Sequence, residues 1–476
     1  MSCLLCQAVV HELDRFASNQ SSVARVIAGL QQDCGTLFNH TLREACDALA
    51  NDAVELLPFI DRELSSLAWD DEGVCAALGK CEVPCCKSDA PEQVHLALRP
   101  SPHEMTVMWT TRDAGPAVSV WWGGSSSALT HSASELGPPL TYTHFGWRGY
   151  LHSATLTGLE PNRTYFYRVG SASSQPVHSF RTLAMGAGGA TTPLRIVVIG
   201  DMGYGPMSDA TVAEVTRRVE AAEVDLVLHN GDVSYADGEM KHWDTFLRKI
   251  EPIASRVPYL TTPGNHEFWF NFSAYRARFG LHMPNAAPND GMYWSAPLAN
   301  GTVHLTAMDT ESPLDVARVD ARQQAWLQND LAAARQARPA WTIAAGHRPL
   351  YCSTHHGQDI PHGNSVLRVA VEETLITSKV DLVLQAHVHA YERSLPLAHG
   401  APTQTGYDAP TAPVYVLQGA SGNREKNELP PGDEPWSAAQ ASNVSFGLLT
   451  IRARSLRYEQ IDSASGETID SFTITK

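Results

Sequence analysis

The chain has 476 residues, of which 43% are hydrophobic, and a formal net charge of −16 at pH 7. This length predicts two to four domains, and no apolar run of about 18 residues is present that could span a membrane. The excess of acidic over basic residues argues against a nucleic-acid partner, because a nucleic-acid backbone is normally bound by a basic surface.

The first segment of the chain is dense in cysteine, with seven of the nine cysteines in residues 1–85. This density predicts a disulfide framework formed in an oxidising compartment. A zinc module built on Cys3-x-x-Cys6 is disfavoured, because the remaining spacings are wide and uneven. Apolar residues at helical intervals, including Leu5, Val9 and Leu13, predict amphipathic helices between the cysteines.

Six cysteines on four or five such helices resemble a saposin B-type domain, which we assign to residues 1–84. The resemblance implies contact with lipid or a membrane surface; a folding clamp or docking surface is the alternative. The implied disulfides are Cys3–Cys81, Cys6–Cys75 and Cys34–Cys46. The remaining cysteines leave three alternatives open, namely a tether between the linker and the catalytic domain, a vicinal bond or free thiols; these cysteines are Cys85, Cys86 and Cys352.

Residues 90–185 differ in character from the first segment. Short stretches rich in β-branched and aromatic residues alternate with Pro/Gly/Ser-rich turns, which predicts a β-sandwich of about a hundred residues. The segment resembles a fibronectin type III-like domain, most closely around PNRTYFYRVG, and we expect it to act as a scaffold. The predicted strands include Val94–Leu98, Met105–Trp109, Val118–Trp122 and Thr164–Val169.

Residues 190–476 carry an α/β pattern after a Gly/Ala-rich spacer. Several predicted strands end just before polar residues, and open α/β sheets bind ligands at the carboxyl ends of their strands. The predicted strands are Leu194–Ile199, Asp225–His229, Val303–Met308, Trp341–Ala345 and Asp381–Gln385, with helices at Ser208–Ala222 and Asp320–Ala337.

Five short stretches in this segment combine residues that bind metal ions. Two aspartates, a tyrosine, an asparagine and three histidines are the ligand inventory of a two-metal site for phosphoester cleavage. Asp232 is the candidate bridge, because two adjacent cations repel one another and need a shared carboxylate. The stretches are GDMG (Asp201), GDVSYAD (Asp232 and Tyr235), GNHE (Asn265 and His266), AGH (His347) and AHVHAYER (His387 and His389).

Two features of these stretches bear on the metals. Tyr235 indicates a trivalent ion such as ferric iron, because a phenol with a pKa near 10 ionises at acidic pH only on a strong Lewis acid. His387 and His389 would share one face of an extended segment, whereas a bent loop would direct them to different ions.

The series GDMG, GDVSY, GNHE, HRPLYC and AHVHAYER resembles the purple acid phosphatases, the iron-containing branch of the metallophosphoesterases. The resemblance implies two facing sheets flanked by helices, a four-layer α-β-β-α sandwich. By the same resemblance, Fe(III) is held by Asp201, Tyr235 and His389, and Asp232 bridges the two ions. The divalent ion (zinc, iron or manganese) is held by Asn265, His347 and His387. The histidines that contact phosphate and protonate the leaving group are His266 and either His355 or His356.

The function implied is an acid phosphatase that hydrolyses phosphomonoesters by attack of a metal-bound hydroxide, which a ferric ion makes available at acidic pH. A histidinium would act as the general acid. One alternative is a lipid phosphodiesterase of the acid sphingomyelinase type, which also joins a saposin domain to a metallophosphoesterase domain. A second is a lipid-binding protein with a degenerate phosphatase domain. Tyr235 and the HxHxYER context favour the phosphatase.

Six N-x-S/T sequons favour a glycosylated protein of the secretory route, either secreted or lysosomal/vacuolar. The opening Met-Ser-Cys has neither a basic region nor an apolar region, so a signal peptide is expected to be absent from this chain. The sequons are at Asn19, Asn39, Asn162, Asn271, Asn300 and Asn443.

Overall fold

The computed structural model describes residue 76 and residues 81–115, 118–170, 174–184, 192–286, 289–311, 319–353, 366–429 and 434–476. Cys81 is disulfide-bonded. None of the helices in these ranges combines the length and apolar character needed to cross a bilayer. The predicted saposin B-like module lies almost wholly outside the described residues, and so do Cys3, Cys6, Cys34, Cys46, Cys75, Asn19, Asn39, His355 and His356.

An all-β domain comes first, as predicted. It contains a three-stranded antiparallel sheet of order β2-β3-β7 and a four-stranded antiparallel sheet of order β5-β4-β8-β9, while β1 and β6 form a short parallel pair. The strands are β1 (Val83–Pro84), β2 (Glu92–Leu98), β3 (Met105–Thr111), β4 (Val120–Gly123), β5 (His131–Ala133), β6 (Trp147–Arg148), β7 (Tyr150–Leu156), β8 (Thr164–Val169) and β9 (His178–Arg181).

The α/β domain that follows is built on two larger sheets, of order β12-β11-β10-β22-β23-β24 and β13-β14-β15-β16-β20-β17-β21. Its strands are β10 (Leu194–Ile199), β11 (Leu226–Asn230), β12 (Tyr259–Thr262), β13 (Trp294–Leu298), β14 (Val303–Ala307), β15 (Trp341–Ala345), β16 (Leu382–Gln385), β17 (Tyr391–Ser394), β18 (Leu397–Ala398), β19 (Ala401–Pro402), β20 (Val414–Gln418), β21 (Ser437–Ala441), β22 (Ser445–Ile451), β23 (Ser455–Asp462) and β24 (Thr468–Thr475).

Five α-helices accompany these sheets in the described part of the α/β domain. They are α1 (Asp209–Glu220), α2 (Met240–Ala254), α3 (Trp269–Arg278), α4 (Ala321–Ala337) and α5 (Val366–Thr377). Short 3₁₀ helices occur at His144–Gly146, Pro206–Ser208, Asn265–Glu267 and Gly280–His282. The predicted strands and the helices α1 and α4 agree with the structure to within a few residues, whereas α2, α3, α5 and the C-terminal strands were not predicted.

The two sheets pack together through one face of each, and helices cover the outer faces. In β15, Ile343 belongs to the core between the sheets, whereas its neighbour Ala344 belongs to the cluster formed with α4 and α5. The same alternation places Leu384 inside and Val383 outside in β16. Alternate residues of a strand point to opposite faces, so apolar residues fill both faces of these central strands.

Arg278 joins the two domains through a buried polar cluster. Its guanidinium donates to the carboxylate of Asp244 (2.7 Å), to the hydroxyl of Tyr142 (2.7 Å) and to Oε1 of Gln93 (3.1 Å). Asp244 also accepts a hydrogen bond from Nε1 of Trp147 at 2.8 Å. Because Gln93, Tyr142 and Trp147 belong to the β domain, this cluster fixes that domain against α2 and α3.

The linker cysteines take one of the three arrangements left open by the sequence. Cys85 and Cys86 form a vicinal disulfide, with Cα atoms 3.8 Å apart. A tether from either residue to Cys352 is therefore not formed. Cys352 instead packs against the small cluster that contains Val388 and Leu417.

Candidate metal centre

The residues predicted as metal ligands converge at one edge of the α/β domain. Strands β10, β11 and β12 run parallel, as do β15 and β16 in the second sheet. The carboxyl ends of parallel strands meet at a common edge, where open α/β sheets bind ligands. All seven candidates follow these strand ends: Asp201 after β10, Asp232 and Tyr235 after β11, Asn265 after β12, His347 after β15, and His387 and His389 after β16.

Two groups of ligand atoms lie close enough to hold a cation each. One oxygen of Asp232 and one ring nitrogen from each of His347 and His387 lie within 4.8 Å of one another. The same holds for ligand atoms of Asp201, Asp232 and His389. Asp232 is common to both groups, and His387 and His389 are divided between them. The left-handed backbone at His387 (φ 72°) bends this loop away from the extended form.

The two remaining candidates join one group each. The hydroxyl of Tyr235 lies 3.3 Å from Oδ1 of Asp201 and 2.9 Å from Nε2 of His389. Oδ1 of Asn265 lies 3.2 Å from Nε2 of His347. The structure thus adds a phenol to the group of Asp201 and an amide oxygen to the group of His347. Imidazole, carboxylate and phenolate donors in such sets suit zinc, manganese and iron.

The electrostatics of this cluster fit bound cations. The side chains of Asp201 and Asp232 are 0% and 1% exposed. Burial raises the pKa of Asp201, and the negative charge of Asp232 raises it further. Burial, together with the charges of Asp201 and Asp232, raises the pKa of Tyr235 well above its ordinary value. Without a cation this phenol stays protonated, so the carboxylates and the phenol together need positive charge to act as ligands.

The site holds several residues in a backbone conformation that L-residues seldom adopt. The φ angles of Asp201, Asp232 and Tyr235 are 55°, 48° and 54°. Sparsely populated conformations cluster at functional sites, where the surrounding structure enforces them. Gly264 contributes to this enforcement, because a Cβ atom there would lie 2.2 Å from Oδ1 of Asp232. The loop after β12 can therefore approach Asp232 only with glycine at this position.

Asn230 orients the ring of His347 and joins the two sheets. Its backbone carbonyl lies 3.1 Å from Nδ1 of His347, which leaves Nε2 directed at Asp232 (3.2 Å). Its side chain donates to the carbonyls of Gly346 (2.9 Å) and Leu384 (3.1 Å) in the second sheet. A histidine ligand is usually fixed in this way by a partner on its other ring nitrogen.

His266 lies beside the two groups and is itself held by an acid. Its Nδ1 is 2.5 Å from Oδ1 of Asp237, and its backbone N–H donates to Oδ1 of Asp232 at 3.0 Å. The second carboxylate oxygen of Asp237 pairs with Arg424. Burial by itself lowers the pKa of His266, but the negative charges of Asp237 and Asp232 outweigh it and raise that pKa well above its usual value. The ring is therefore a protonated donor at acidic pH.

Glu425 reaches the same space from the loop after β20. Its carboxylate oxygens lie 3.6 Å from Nε2 of His266 and 3.8 Å from Nε2 of His389, and its side chain is 46% exposed. It therefore marks the solvent-facing rim of the site.

Glu267 ties two of the ligand loops together. Its Oε1 accepts hydrogen bonds from the backbone N–H groups of Val233 (3.0 Å) and Ser234 (3.4 Å), and its Oε2 accepts one from Gly264 (2.9 Å). The side chain is buried; burial and the charge of Asp232 raise its pKa, while the hydrogen bond from the backbone of Gly264 and the charges of His266 and His347 lower it. One carboxylate thus spans the loop that carries Asp232 and the loop that precedes Asn265.

Sequence reasoning did not assign roles to five of these residues, Asn230 among them. Asp237 and Glu267 stand at the ends of GDVSYAD and GNHE, so their positions within the motifs were a usable signal. Arg424 and Glu425 lie in a loop with no ligand motif, and only the folded chain brings them to the site. His355 and His356 lie outside the described residues.

Three family models match successive parts of the chain. They are the "Purple acid Phosphatase, N-terminal domain" over residues 91–182, the "Calcineurin-like phosphoesterase" over residues 194–391 and the "Iron/zinc purple acid phosphatase-like protein C" over residues 412–471. The second of these spans all seven candidate ligands.

Curated relatives and solved structures agree with these matches. The chain is 33% identical over 422 residues to human acid phosphatase type 7, covering 82% of this chain and 92% of the relative. It is 30% identical over 371 residues to purple acid phosphatase 22 of Arabidopsis thaliana, covering 76% and 78%. The structure of purple acid phosphatase PPD1 from yellow lupin seeds is similar with a TM-score of 0.70 and 28% identity, covering 81% of this chain and 74% of that chain. PhoD shares the fold, with a TM-score of 0.61 and 16% identity.

We expect Glu267→Gln to lower kcat and metal affinity by about 10- to 100-fold, the usual cost of losing a residue that orients metal ligands. The glutamine amide would direct an N–H at one of the backbone N–H groups from which Glu267 now accepts a hydrogen bond, and that hydrogen bond would be lost. Metal content after dialysis and kcat on an aryl phosphate measure the effect. Glu459→Gln, which changes a carboxylate on β23 paired with Arg457, is the matched control. Unchanged metal retention in Glu267→Gln would contradict the positioning role.

Proposed function

The chain belongs to the purple acid phosphatase family, with an N-terminal all-β domain and a metallophosphoesterase domain, and on that premise we propose how its residues divide the work of catalysis. It is an acid phosphatase, a phosphoric monoester hydrolase with a binuclear metal centre. The family uses Fe(III) together with a divalent metal. The proposal below concerns the residues that hold these ions and those that act on the phosphomonoester.

We assign Asp201, Tyr235 and His389 to the ferric ion and Asn265, His347 and His387 to the divalent ion. The observation that carries this assignment is the position of Asp232, whose carboxylate belongs to both groups of ligand atoms. The phenol of Tyr235 favours the trivalent ion on its side, because its raised pKa requires a strong Lewis acid. The divalent ion is zinc, iron or manganese, all of which accept imidazole.

The bound ions supply Lewis acidity, charge neutralisation for the phosphate and activation of water at acidic pH. The chain's own residues fix and complete this arrangement. His266 donates a proton to the departing alkoxide oxygen through Nε2, since its Nδ1 is engaged by Asp237 at 2.5 Å. Asp237 keeps the ring protonated, and Arg424 holds Asp237 in place. Either His355 or His356 is proposed to share the contact with phosphate.

We propose the domain boundaries 1–84, 90–185 and 190–476. The strands between Glu92 and Arg181 and the family match over residues 91–182 support the second domain. A saposin B-like first domain is supported by the six cysteines in residues 1–84. Such a domain would bring membrane-associated phosphomonoesters to the site.

Flotation with anionic vesicles tests the membrane contact. We expect the full chain to float with the vesicles at acidic pH and not at neutral pH, and absence of flotation at both pH values contradicts the proposal.

We further propose that the protein follows the secretory route. Disulfide bonds at Cys81 and at Cys85–Cys86 support an oxidising compartment. The described sequons are accessible to glycosylation, because Asn162, Asn271, Asn300 and Asn443 are all exposed. A decrease in mass on enzymatic deglycosylation of the native protein checks this proposal, and an unchanged mass contradicts it.

Asp232→Asn tests the shared ligand. We expect turnover to fall by several orders of magnitude and both ions to be lost on dialysis, because a neutral amide cannot neutralise two adjacent cations. Metal analysis and turnover of an aryl phosphate give the result. Asp225→Asn, at the other end of β11 where Asp225 pairs with Arg195, should keep both ions. Retention of both ions and near-normal turnover in Asp232→Asn would rule out the assignment.

Tyr235→Phe tests the ferric side. The native protein should show a visible charge-transfer band from phenolate to ferric iron, and the variant should lose the band while keeping part of its activity, because the other ligands remain. Visible spectra of iron-loaded samples decide the matter. Tyr204→Phe, whose ring stacks on His242 at 4.0 Å, should keep the colour. An iron-replete, active and colourless native enzyme would contradict the assignment of Tyr235 to the ferric ion.

Asp237→Asn tests the general acid. The asparagine keeps an acceptor for Nδ1 of His266 but removes the negative charge, so the pKa of His266 should fall. A general acid must be protonated, so the alkaline limb of the kcat/KM profile should move to lower pH, with kcat about 10- to 100-fold lower. The control is Asp209→Asn, an exposed carboxylate paired with Lys249. An alkaline limb at its native position would show that His266 is not the acid.

A further inference from the structure

The carboxylate of Glu425 lies next to the nitrogen from which the leaving group receives its proton. One of its oxygens is 3.6 Å from Nε2 of His266, and the other is 3.8 Å from Nε2 of His389. The first nitrogen belongs to the proposed general acid, and the second belongs to a proposed ligand of the ferric ion. Glu425 therefore faces the side of the site from which the alkoxide departs, a placement that rests on the proposed role of His266.

Glu425 is accessible to a substrate. Its side chain is 46% exposed, whereas the side chains of Asp232 and Asp237 are 1% and 6% exposed. The residue lies in the loop between β20 and β21, and its backbone N–H donates to Oδ1 of Asn423 at 2.8 Å. This hydrogen bond fixes the backbone of the loop, while the carboxylate itself is open to solvent and to a leaving group.

A charged group near the ester oxygen of a substrate can pair with Glu425. A hydrogen bond from Nε2 of His266 to the ester oxygen is about 2.8 Å long, which places that oxygen within about 6 Å of the Glu425 carboxylate. An ammonium group two carbon atoms further along the leaving group can then approach the carboxylate to within about 4 Å, the limit of an ion pair. The leaving group thus reaches Glu425 while its phosphate stays at the metal centre.

The charges around Glu425 balance before proton transfer but not during it. Asp237 pairs with Arg424. In the described part of the chain, the ion pairs of Glu425 are with His266 and His389 only, and a histidine that binds a metal is neutral. The protonated ring of His266 therefore compensates Glu425 until its proton passes to the departing alkoxide. From then on, a cation on the leaving group is the partner that Glu425 lacks.

The same carboxylate opposes a leaving group that carries a second negative charge. A carboxylate or a second phosphate close to the ester oxygen meets Glu425 at the distance at which an ammonium group pairs with it. Specificity is the difference between two such interactions, and a repulsive contact contributes as much to it as an attractive one. A neutral leaving group gains from neither effect and should lie between the two.

We propose that Glu425 makes this acid phosphatase select phosphomonoesters whose leaving group is a cation, such as the phosphate esters of amino alcohols. Phosphomonoesters with an anionic leaving group, including diphosphates, are disfavoured. Glu425 is thus a specificity-determining residue, whereas the metal ions and His266 carry out the reaction on every substrate.

Three substrates of similar length test the proposal with the full-length, metal-loaded enzyme. They are O-phosphoethanolamine, propyl phosphate and phosphoglycolate, whose leaving groups end in an ammonium, a methyl and a carboxylate group. At about pH 6 both the ammonium and the carboxylate are charged. The quantity measured is kcat/KM for each substrate relative to propyl phosphate, because that ratio compares transition states.

Glu425→Gln keeps the shape of the side chain and removes its charge. The ratio of kcat/KM for phosphoethanolamine to that for phosphoglycolate should fall by about tenfold, roughly threefold from each substrate, as is typical of exposed ion pairs. Intrinsic differences in reactivity cancel because native and variant enzymes are compared on the same substrates. Glu425→Lys should lower the ratio further, since it replaces attraction by repulsion.

Glu373→Gln is the matched control. Glu373 is a carboxylate on α5 that is 69% exposed and likewise lies beside a histidine, His399 at 3.7 Å. This variant should keep the native ratio. Salt at about 1 M, where the screening length is about 3 Å, should move the native ratio towards that of Glu425→Gln.

A ratio that is unchanged in both Glu425 variants, or that changes equally in Glu373→Gln, overturns the proposal. A native ratio that does not respond to salt overturns it as well. The role of His266 is judged separately by the alkaline limb of the profile of Asp237→Asn. A shifted limb together with an unchanged substrate ratio therefore refutes the selection by Glu425 and leaves the general acid in place.

Discussion

Asp201 and Asp232 are buried side by side, and much of the surrounding structure offsets the repulsion between their negative charges. The rings of His347, His389 and His266 approach these two carboxylates from three separate loops. Two bound cations complete the balance, which is why the ligand atoms fall into two groups that share Asp232. Without positive charge at this edge, burying both carboxylates would oppose folding.

The backbone at the site is left-handed at three of the ligand positions. Asp201, Asp232 and Tyr235 all adopt positive φ values in the loops that follow β10 and β11. Buried polar side chains then hold these loops. Glu267 joins the loops after β11 and β12, and Asn230 joins the first sheet to the second. The ligand positions thus depend on hydrogen bonds between loops as much as on the strands.

The β domain is attached to this framework through α3, the helix that directly follows the loop of Asn265. Arg278, at the end of α3, contacts Asp244 on α2 and three β-domain residues at once.

The sequence by itself determined that an all-β domain precedes an α/β domain, and it identified the central strands of the catalytic domain and the seven candidate ligands. It could do so because strand patterns and ligand types are local, and each ligand directly follows an apolar run. The tertiary structure shows how His387 and His389, two residues apart, come to lie in different groups of ligand atoms, through a bend that spacing does not reveal. The contributions of Arg424 and Glu425 and the pairing of Cys85 with Cys86 were likewise decided by the fold. The positions of Arg424 and Glu425 depend on which distant loops approach in space, and no local pattern encodes that approach.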